Sequence, residues 1–137
     1  MRILVVEDDF VARNIYGEFL RPYGACDGAE NGLVGLNAFK LALDCGKPYR
    51  LVCIDILMPE MDGQTLLKEI RKYEEENGIK GLEGVKVIMT TALDDYQNIM
   101  TAFKGQCEGY IIKPIRKEKL LQEMKKLGLL DNGFLEI

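Results

Sequence analysis

The feature that most constrains the fold is a regular alternation of short apolar runs with segments that repeat apolar residues at helical spacing. The clearest run is Leu51–Ile54, which is followed at once by an acid, Asp55. Pro59 comes soon after, and a central strand does not tolerate proline. An unbroken apolar run of this length is typical of a strand buried on both faces. Similar runs near residues 4, 85 and 110 predict further strands, and the spacing of these runs places a weaker one at residues 25–29.

Apolar residues recur at helical spacing after each of these runs. The first helix is predicted from Val11, Ala12, Ile15, Phe19 and Leu20, and the second from Leu33, Leu36, Phe39 and Leu43. The third has an apolar stripe, Leu66, Leu67, Ile70 and Tyr73, opposite a charged face of Lys68, Glu69, Arg71, Lys72, Glu74 and Glu75. The fourth is predicted to start at Asp94 or Asp95 with Ile99, Met100 and Phe103 inward. The last contains Leu120, Leu121, Met124 and Leu127 and stops at Gly128.

Five strand–helix units in succession predict an α/β fold with a doubly wound parallel sheet. The common five-stranded solution is the flavodoxin-like (βα)5 arrangement with strand order 2-1-3-4-5, which has its crevice between strands one and three. We assign residues 1–127 to this domain and residues 128–137 to a short C-terminal tail. The tail contains Leu129, Leu130, Phe134 and Leu135, and the sequence leaves open whether it docks on the domain or binds a partner.

Histidine is absent from all 137 residues. This excludes Ser-His-Asp and Cys-His nucleophiles, imidazole metal sites and a phosphohistidine within this chain. The net charge of −4 argues against nucleic acid as a direct partner. The four cysteines lack CxxC spacing, which favours reduced, structural thiols. No apolar run is long enough for a membrane span or an export signal, so we expect a cytoplasmic protein without membrane insertion.

Polar residues follow the predicted strands at their carboxyl ends, which meet at one edge of a parallel sheet. They are Glu7, Asp8, Asp9, Asp55, Thr90, Thr91 and Lys113. Taken singly, each has an ordinary explanation: helix capping for the acids, β-propensity for the threonines and a solvated lysine for Lys113. Together they favour a polar site at this edge.

Clustered carboxylates require a counter-charge, and hard oxygen ligands favour Mg²⁺. Asp55 would then be a nucleophile toward a phosphoryl group. Lys113 would neutralise charge on that group, and the Thr91 hydroxyl would hydrogen-bond one of its oxygens.

These residues carry a family resemblance that spans roughly residues 1 to 127. The chain resembles the response-regulator receiver domain, the phospho-accepting module of two-component signalling. The matching pieces are Val5-Val6-Glu7-Asp8-Asp9, Asp55 with Met58, Pro59 and Gly63, Thr91-Ala92, and Tyr110-Ile111-Ile112-Lys113-Pro114.

The resemblance implies a role for each site residue. Asp55 is the phospho-acceptor, and Lys113 pairs with a phosphoryl oxygen. Mg²⁺ is held by Asp8 directly, by Glu7 through water, by Asp55 and by the backbone carbonyl of Leu57. Thr91 and Tyr110 form the switch pair. Asp9 lies where the family varies and is not counted as a ligand. The Lys113–Pro114 bond is a candidate cis peptide.

The resemblance also implies partners. The phosphoryl donor is a sensor histidine kinase or a phosphotransfer protein, and the output is a downstream protein target. With no output domain attached, that target binds the face formed by the fourth helix, fifth strand and fifth helix. The chain is a monomer or a phosphorylation-dependent dimer, and a regulator rather than an enzyme. Lysines 117, 119, 125 and 126 belong either to a partner site or to a solvated helix face.

The sequence departs from the family pattern at three places. Glu7 replaces the more usual Asp, and the loop at residues 77–84 is longer than the minimum. Leu57 and Leu93 occupy the two positions that flank the phosphoryl group. Since apolar side chains offer no hydrogen bond to an attacking water, we hypothesise slow self-dephosphorylation, which a polar residue in place of Leu93 should accelerate. Core packing of both leucines is the alternative explanation.

Two other functions compete with the signalling switch. A Mg²⁺-dependent phosphatase or phosphomutase commonly has a second acid two residues after its nucleophile, and here that position is Leu57. A receiver-like interaction module that is never phosphorylated would not need every site residue that this chain retains.

Overall fold

The computed structural model describes residues 1–92 and 107–130, in which strands and helices alternate. In chain order the elements are β1 (Arg2–Val6), α1 (Phe10–Leu20), β2 (Ala25–Ala29), α2 (Gly32–Asp44), β3 (Leu51–Asp55), α3 (Gly63–Glu76), β4 (Lys86–Thr91), β5 (Gly109–Ile112) and α4, the C-terminal helix (Lys117–Lys126). Short 3₁₀ turns cover Arg21–Tyr23 and Gly81–Glu83. The predicted fourth helix, with Asp94, Asp95, Ile99, Met100 and Phe103, lies outside the described residues.

All strand pairs are parallel, and the sheet order is β2-β1-β3-β4-β5, which confirms the predicted topology. Strand β3 lies in the centre, and each of its residues is buried. The weakly predicted strand at residues 25–29 is confirmed as β2. It forms an edge of the sheet and is mostly exposed, which explains its small and polar residues.

The sheet separates two apolar layers. Helices α2 and α3 cover one face, where Phe39, Leu66 and Ile70 pack against strand residues such as Val52 and Ile54. Helices α1 and α4 cover the other face, where the packed residues include Ile3, Val5, Tyr16, Leu20, Cys53, Ile88, Leu120 and Met124. Leu130, beyond α4, is also buried in this second layer.

Side-chain caps set the starts of the first three helices. Asp9, Asn31 and Asp62 accept hydrogen bonds from backbone amides three residues on, at 3.3, 2.8 and 2.8 Å. Gly128 follows α4 with a φ of 75°, the left-handed conformation that glycine tolerates, so the predicted stop is confirmed.

The burial of α1 differs from its apolar repeat. Val11 is 61% exposed and Ile15 is 38% exposed, whereas Tyr16 and Leu20 face the core. The helix is confirmed, but the residues that predicted it lie on more than one of its sides.

The charged face predicted for α3 is wrong at its C-terminal end. Glu74 is buried and accepts the amide of Val85 at 2.6 Å. Arg71 donates to Glu74 at 2.8 Å and to both oxygens of Glu108 at 2.9 and 3.0 Å. Glu108 in turn accepts the amide of Val87 at 2.6 Å. These groups, the Arg71 network, join α3 to the N-terminal ends of β4 and β5.

None of the helices within residues 1–92 and 107–130 is long and apolar enough to cross a membrane. The four cysteines are free thiols, and Cys53 and Cys107 are buried.

Candidate functional site

The site lies where the carboxyl ends of β1, β3, β4 and β5 meet. Val6 pairs with Ile54 and Asp55 pairs with Thr90, so Glu7 follows β1 beside the end of β3. This edge is where open parallel sheets bind their ligands. The register therefore brings together the strand-end residues that the sequence predicted.

Asp55 is the central carboxylate and is only 4% exposed. The ammonium of Lys113 donates to its Oδ2 at 3.1 Å, and the amide of Leu57 donates to its Oδ1 at 3.2 Å. Gly63 packs against the backbone here, and a Cβ at that position would lie 2.4 Å from the Asp55 carbonyl oxygen. The start of α3 therefore requires glycine to approach the site.

Glu7 is fully buried next to Asp55. Its Oε1 accepts the amide of Asp9 at 3.2 Å, while its Oε2 has no hydrogen-bond partner and lies 3.7 Å from the Lys113 ammonium. Burial, followed by repulsion from the Asp55 charge, raises the pKa of Glu7 to about 7. A bound cation would stabilise this buried carboxylate oxygen, which has no hydrogen-bond donor.

Asp8 completes a cluster of three carboxylates and is exposed. One oxygen each from Glu7, Asp8 and Asp55 lies within 4.8 Å of the others. These oxygens fit a hard divalent cation such as Mg²⁺, and the exposed Asp8 leaves the cluster open to solvent. The neighbouring Asp9 caps α1.

Lys113 supplies the positive charge of the site. Burial lowers its pKa, but the hydrogen bond to Asp55 and the nearby negative charges of Asp55, Glu7 and Asp8 outweigh this effect and raise the pKa overall. Its amide donates to the carbonyl of Thr91 at 2.8 Å, which ties β5 to β4. The Lys113–Pro114 peptide is cis, as predicted.

The two predicted switch residues lie on neighbouring strands: Thr91 is the last residue of β4, and Tyr110 is in β5. Thr91 is buried, and its hydroxyl donates to the carbonyl of Ala92 at 3.3 Å. The Tyr110 side chain is 37% exposed. Their joint movement on phosphorylation remains a prediction.

A family model for the response regulator receiver domain matches residues 3–125. This chain is a receiver domain of that family.

A relative of similar sequence agrees with this assignment, and two solved structures share the fold. The chemotaxis protein CheY of Treponema pallidum is 30% identical over 125 residues, which cover 90% of this chain and 79% of that protein. The receiver domain of Ssk1 from Saccharomyces cerevisiae, solved with the phosphotransfer protein Ypd1, has a TM-score of 0.78 at 24% identity and covers 93% of this chain and 88% of that one. The receiver domain of the Arabidopsis thaliana histidine kinase CKI1, solved with Mg²⁺ and BeF₃⁻, has the same TM-score at 22% identity and covers 93% and 89%.

Two segments that are adjacent in sequence to the site residues expose apolar side chains in this receiver domain. Leu57 is 59% exposed, so core packing does not explain it. Leu93, the other predicted flanking residue, lies outside the described residues. On α1, Phe10 and Val11 are both more than 60% exposed.

The sequence did not identify two residues that support the site of this receiver domain. Arg13 donates to the carbonyl of Glu7 at 2.7 Å. Tyr16 is buried beneath the site with its hydroxyl hydrogen-bonded to Thr90. The available signal was an aromatic side chain with a polar hydroxyl, almost two turns into the helix that follows the acidic pair.

Proposed function

We propose that this receiver domain is a Mg²⁺-dependent, phospho-accepting switch in which Asp55 takes the phosphoryl group. The observation that carries the proposal is a buried carboxylate that meets both a lysine ammonium at 3.1 Å and two further acids. Lys113 supplies a counter-charge to the Asp55 carboxylate at the ligand edge of the sheet, and a carboxylate can act as the nucleophile toward a phosphoryl group.

Glu7, Asp8 and Asp55 are the side chains that would hold Mg²⁺, with the backbone carbonyl of Leu57 as a further ligand. The unpartnered Oε2 of Glu7 supports this assignment. When bound, the ion supplies positive charge against the phosphoryl oxygens.

In the transfer, an oxygen of Asp55 forms a bond to phosphorus. The bond from phosphorus to the donor breaks, and the donor atom leaves with the electron pair. Lys113 then moves from its pairing with Asp55 to a phosphoryl oxygen, and the Thr91 hydroxyl turns from Ala92 to another. Since the chain acts only on itself, it is a regulator rather than an enzyme with a separate substrate.

The donor would be a sensor histidine kinase or a phosphotransfer protein. The related Ssk1 receiver domain has been solved with a histidine phosphotransfer protein. Phe10, Val11 and Ile15 expose apolar side chains on α1, the helix that follows the acidic pair in the chain, and they support docking of such a donor on this helix.

The output would be a downstream protein that binds the β5 side of the domain. Tyr110 and Ile112 are each 37% exposed there. Together with Lys119 and Lys126 on the C-terminal helix they line a cavity of about 340 Å³. Phosphorylation would shift a pre-existing equilibrium between two arrangements of this surface. The protein would be a monomer or a phosphorylation-dependent dimer.

The test is the intact mass of the protein after incubation with acetyl phosphate, with and without Mg²⁺. We expect one phosphoryl adduct that requires Mg²⁺ and is absent from Asp55→Asn. Asp62→Asn is a matched control because Asp62 caps α3 outside the site, and it should retain the adduct. No adduct on the wild-type chain would favour the phosphorylation-independent interaction module.

A further inference from the structure

Tyr16 and Thr90 form a buried pair of hydroxyl groups directly below the phospho-acceptor site. Tyr16 is 1% exposed and Thr90 is fully buried, and their hydroxyls are hydrogen-bonded to each other. The two residues are 74 positions apart in the chain. The bond therefore joins α1 to the carboxyl end of β4.

The pair lies on the same side of the sheet as the carboxylates. Asp55 and Thr90 are in-register neighbours on adjacent parallel strands, so their side chains lie on one face. Burial above all, and then the nearby charges of Cys53, Glu7 and Asp55, raise the pKa of Tyr16 well above its ordinary value. Tyr16 thus keeps its proton and remains available as a hydrogen-bond donor.

The end of β4 is the backbone support for both groups that would contact a phosphoryl group. The Thr90 carbonyl accepts the amide of Ile56, the residue after Asp55, at 3.0 Å. The Thr91 carbonyl accepts the amide of Lys113 at 2.8 Å. A shift of this strand end would misplace the Thr91 hydroxyl and Lys113 together.

The partner helix α1 is anchored to the acidic pair. It begins immediately after Asp9, and Arg13 holds the carbonyl of Glu7 at 2.7 Å. The Tyr16–Thr90 bond therefore closes a path from the metal-binding loop, through α1, to the end of β4.

Burying a hydroxyl is costly unless it is hydrogen-bonded, and here each of the two hydroxyls supplies the partner of the other. We propose that Tyr16 is a positioning residue: through Thr90 it holds the end of β4 so that Thr91 and Lys113 are aligned for the phosphoryl group. This inference rests on the proposed function of Asp55.

The test compares Tyr16→Phe, Thr90→Val and their double variant with the wild type. The readouts are the rate of phosphorylation by acetyl phosphate at saturating Mg²⁺ and the dissociation constant of Mg²⁺ from calorimetry. We expect each single variant to be about fivefold slower, the effect of one lost neutral hydrogen bond, with an Mg²⁺ dissociation constant within about twofold of wild type. The double variant should be no slower than the slower single variant, because both remove the same bond.

Two controls separate positioning from stability. Thr90→Ser keeps the hydroxyl and should retain the wild-type rate. Tyr49→Phe removes the hydroxyl of another buried tyrosine, a partly buried group that donates to Asp27 at 2.6 Å away from the site, and it should lower stability without lowering the rate. If Tyr16→Phe does not fold, the comparison of Thr90→Val with Thr90→Ser decides the question.

Wild-type rates in Tyr16→Phe and Thr90→Val would overturn the inference and leave the proposed function intact, even if both variants were less stable. So would an equal loss of rate in Tyr49→Phe. A wild-type chain that forms no adduct would overturn the proposed function itself and the inference with it.

Discussion

At the scale of single residues, Glu7 is the position where burial and charge conflict most. Its carboxyl is fully buried beside Asp55, and its pKa is raised from 4.5 to about 7. Since the unfolded chain releases this proton at lower pH than the folded chain, the Glu7 contribution to stability of the metal-free protein falls as pH rises from about 4.5 to 7. A bound cation would remove this penalty.

Mg²⁺ affinity should therefore depend on pH. Binding requires the Glu7 carboxylate, so we expect affinity at pH 6 to be roughly tenfold weaker than at pH 8. Calorimetric titration at the two pH values measures this. Glu7→Gln should bind weakly at both, and a wild-type affinity independent of pH would contradict the role of Glu7.

Leu57 offers a direct test of the slow-hydrolysis hypothesis. It is 59% exposed beside Asp55 and donates no side-chain hydrogen bond to water. Leu57→Asn should speed loss of the phosphoryl group by about fivefold, the effect of one hydrogen bond to the attacking water. The decay of the mass adduct after removal of acetyl phosphate measures the rate. Leu57→Met is the matched apolar control and should decay like wild type; an unchanged or slower rate in Leu57→Asn would contradict the hypothesis.

Glu60 adopts a backbone conformation that suits glycine. Its φ is 68°, in the left-handed region, within the loop between β3 and α3. Glu60→Gly should raise the free energy of unfolding by about 1 kcal/mol, because it removes this backbone strain. Urea denaturation measures the change. Glu60→Ala keeps the strain and should show no gain; stabilisation by alanine alone would point to the side chain instead.

At the scale of elements, periodicity predicted every described helix but not every buried face. On α1 the apolar residues lie on several sides of the helix, so the repeat alone does not fix which side meets the sheet. The core selects Tyr16 and Leu20, while Phe10 and Val11 remain exposed near the site. On α3, charged residues are buried because their partners come from β4 and from Glu108, which is 37 positions away from Arg71. A sequence pattern within one helix cannot contain that information.

The Arg71 network should contribute strongly to stability. Glu74→Ala would leave the Val85 amide without its acceptor and would remove one of the two carboxylates that pair with the Arg71 guanidinium, so we expect a loss of about 3 kcal/mol in unfolding free energy. Glu75→Ala, one position along on the exposed side, should change it by less than about 0.5 kcal/mol. Equal effects of both substitutions in urea denaturation would contradict this account of the network.

At the scale of the whole molecule, strand order and the location of the site were predictable together. Alternating strands and helices with right-handed crossovers leave few topologies, and parallel strands bring their carboxyl ends to one edge. The sequence therefore predicts that Asp55, Glu7 and Lys113 share one site. It does not predict the Tyr16–Thr90 pair, because that pair depends on the rotation of α1 above the sheet.

The residues after the C-terminal helix belong to the packed core at least as far as Leu130, which is 7% exposed. Leu130→Ala should lower the free energy of unfolding by about 2 to 3 kcal/mol. Leu41→Ala, at a leucine that is 64% exposed on α2, should cost less than about 0.5 kcal/mol. Thermal or urea unfolding measures both, and similar values would show that Leu130 is not a core residue in solution.

The Arg71 network lies at the amino ends of β4 and β5, at the opposite edge of the sheet from Asp55. The stabilising contacts of the Arg71 network and the candidate site at Asp55 therefore lie at opposite ends of the parallel strands. Changes in the loops around Asp55, which would alter the proposed phosphoryl donor and the lifetime of the phosphorylated state, should therefore leave the Arg71 network intact. This separation makes the chain a favourable starting point for engineering a new partner specificity, since substitutions in those loops should not remove the stabilising contacts of the Arg71 network.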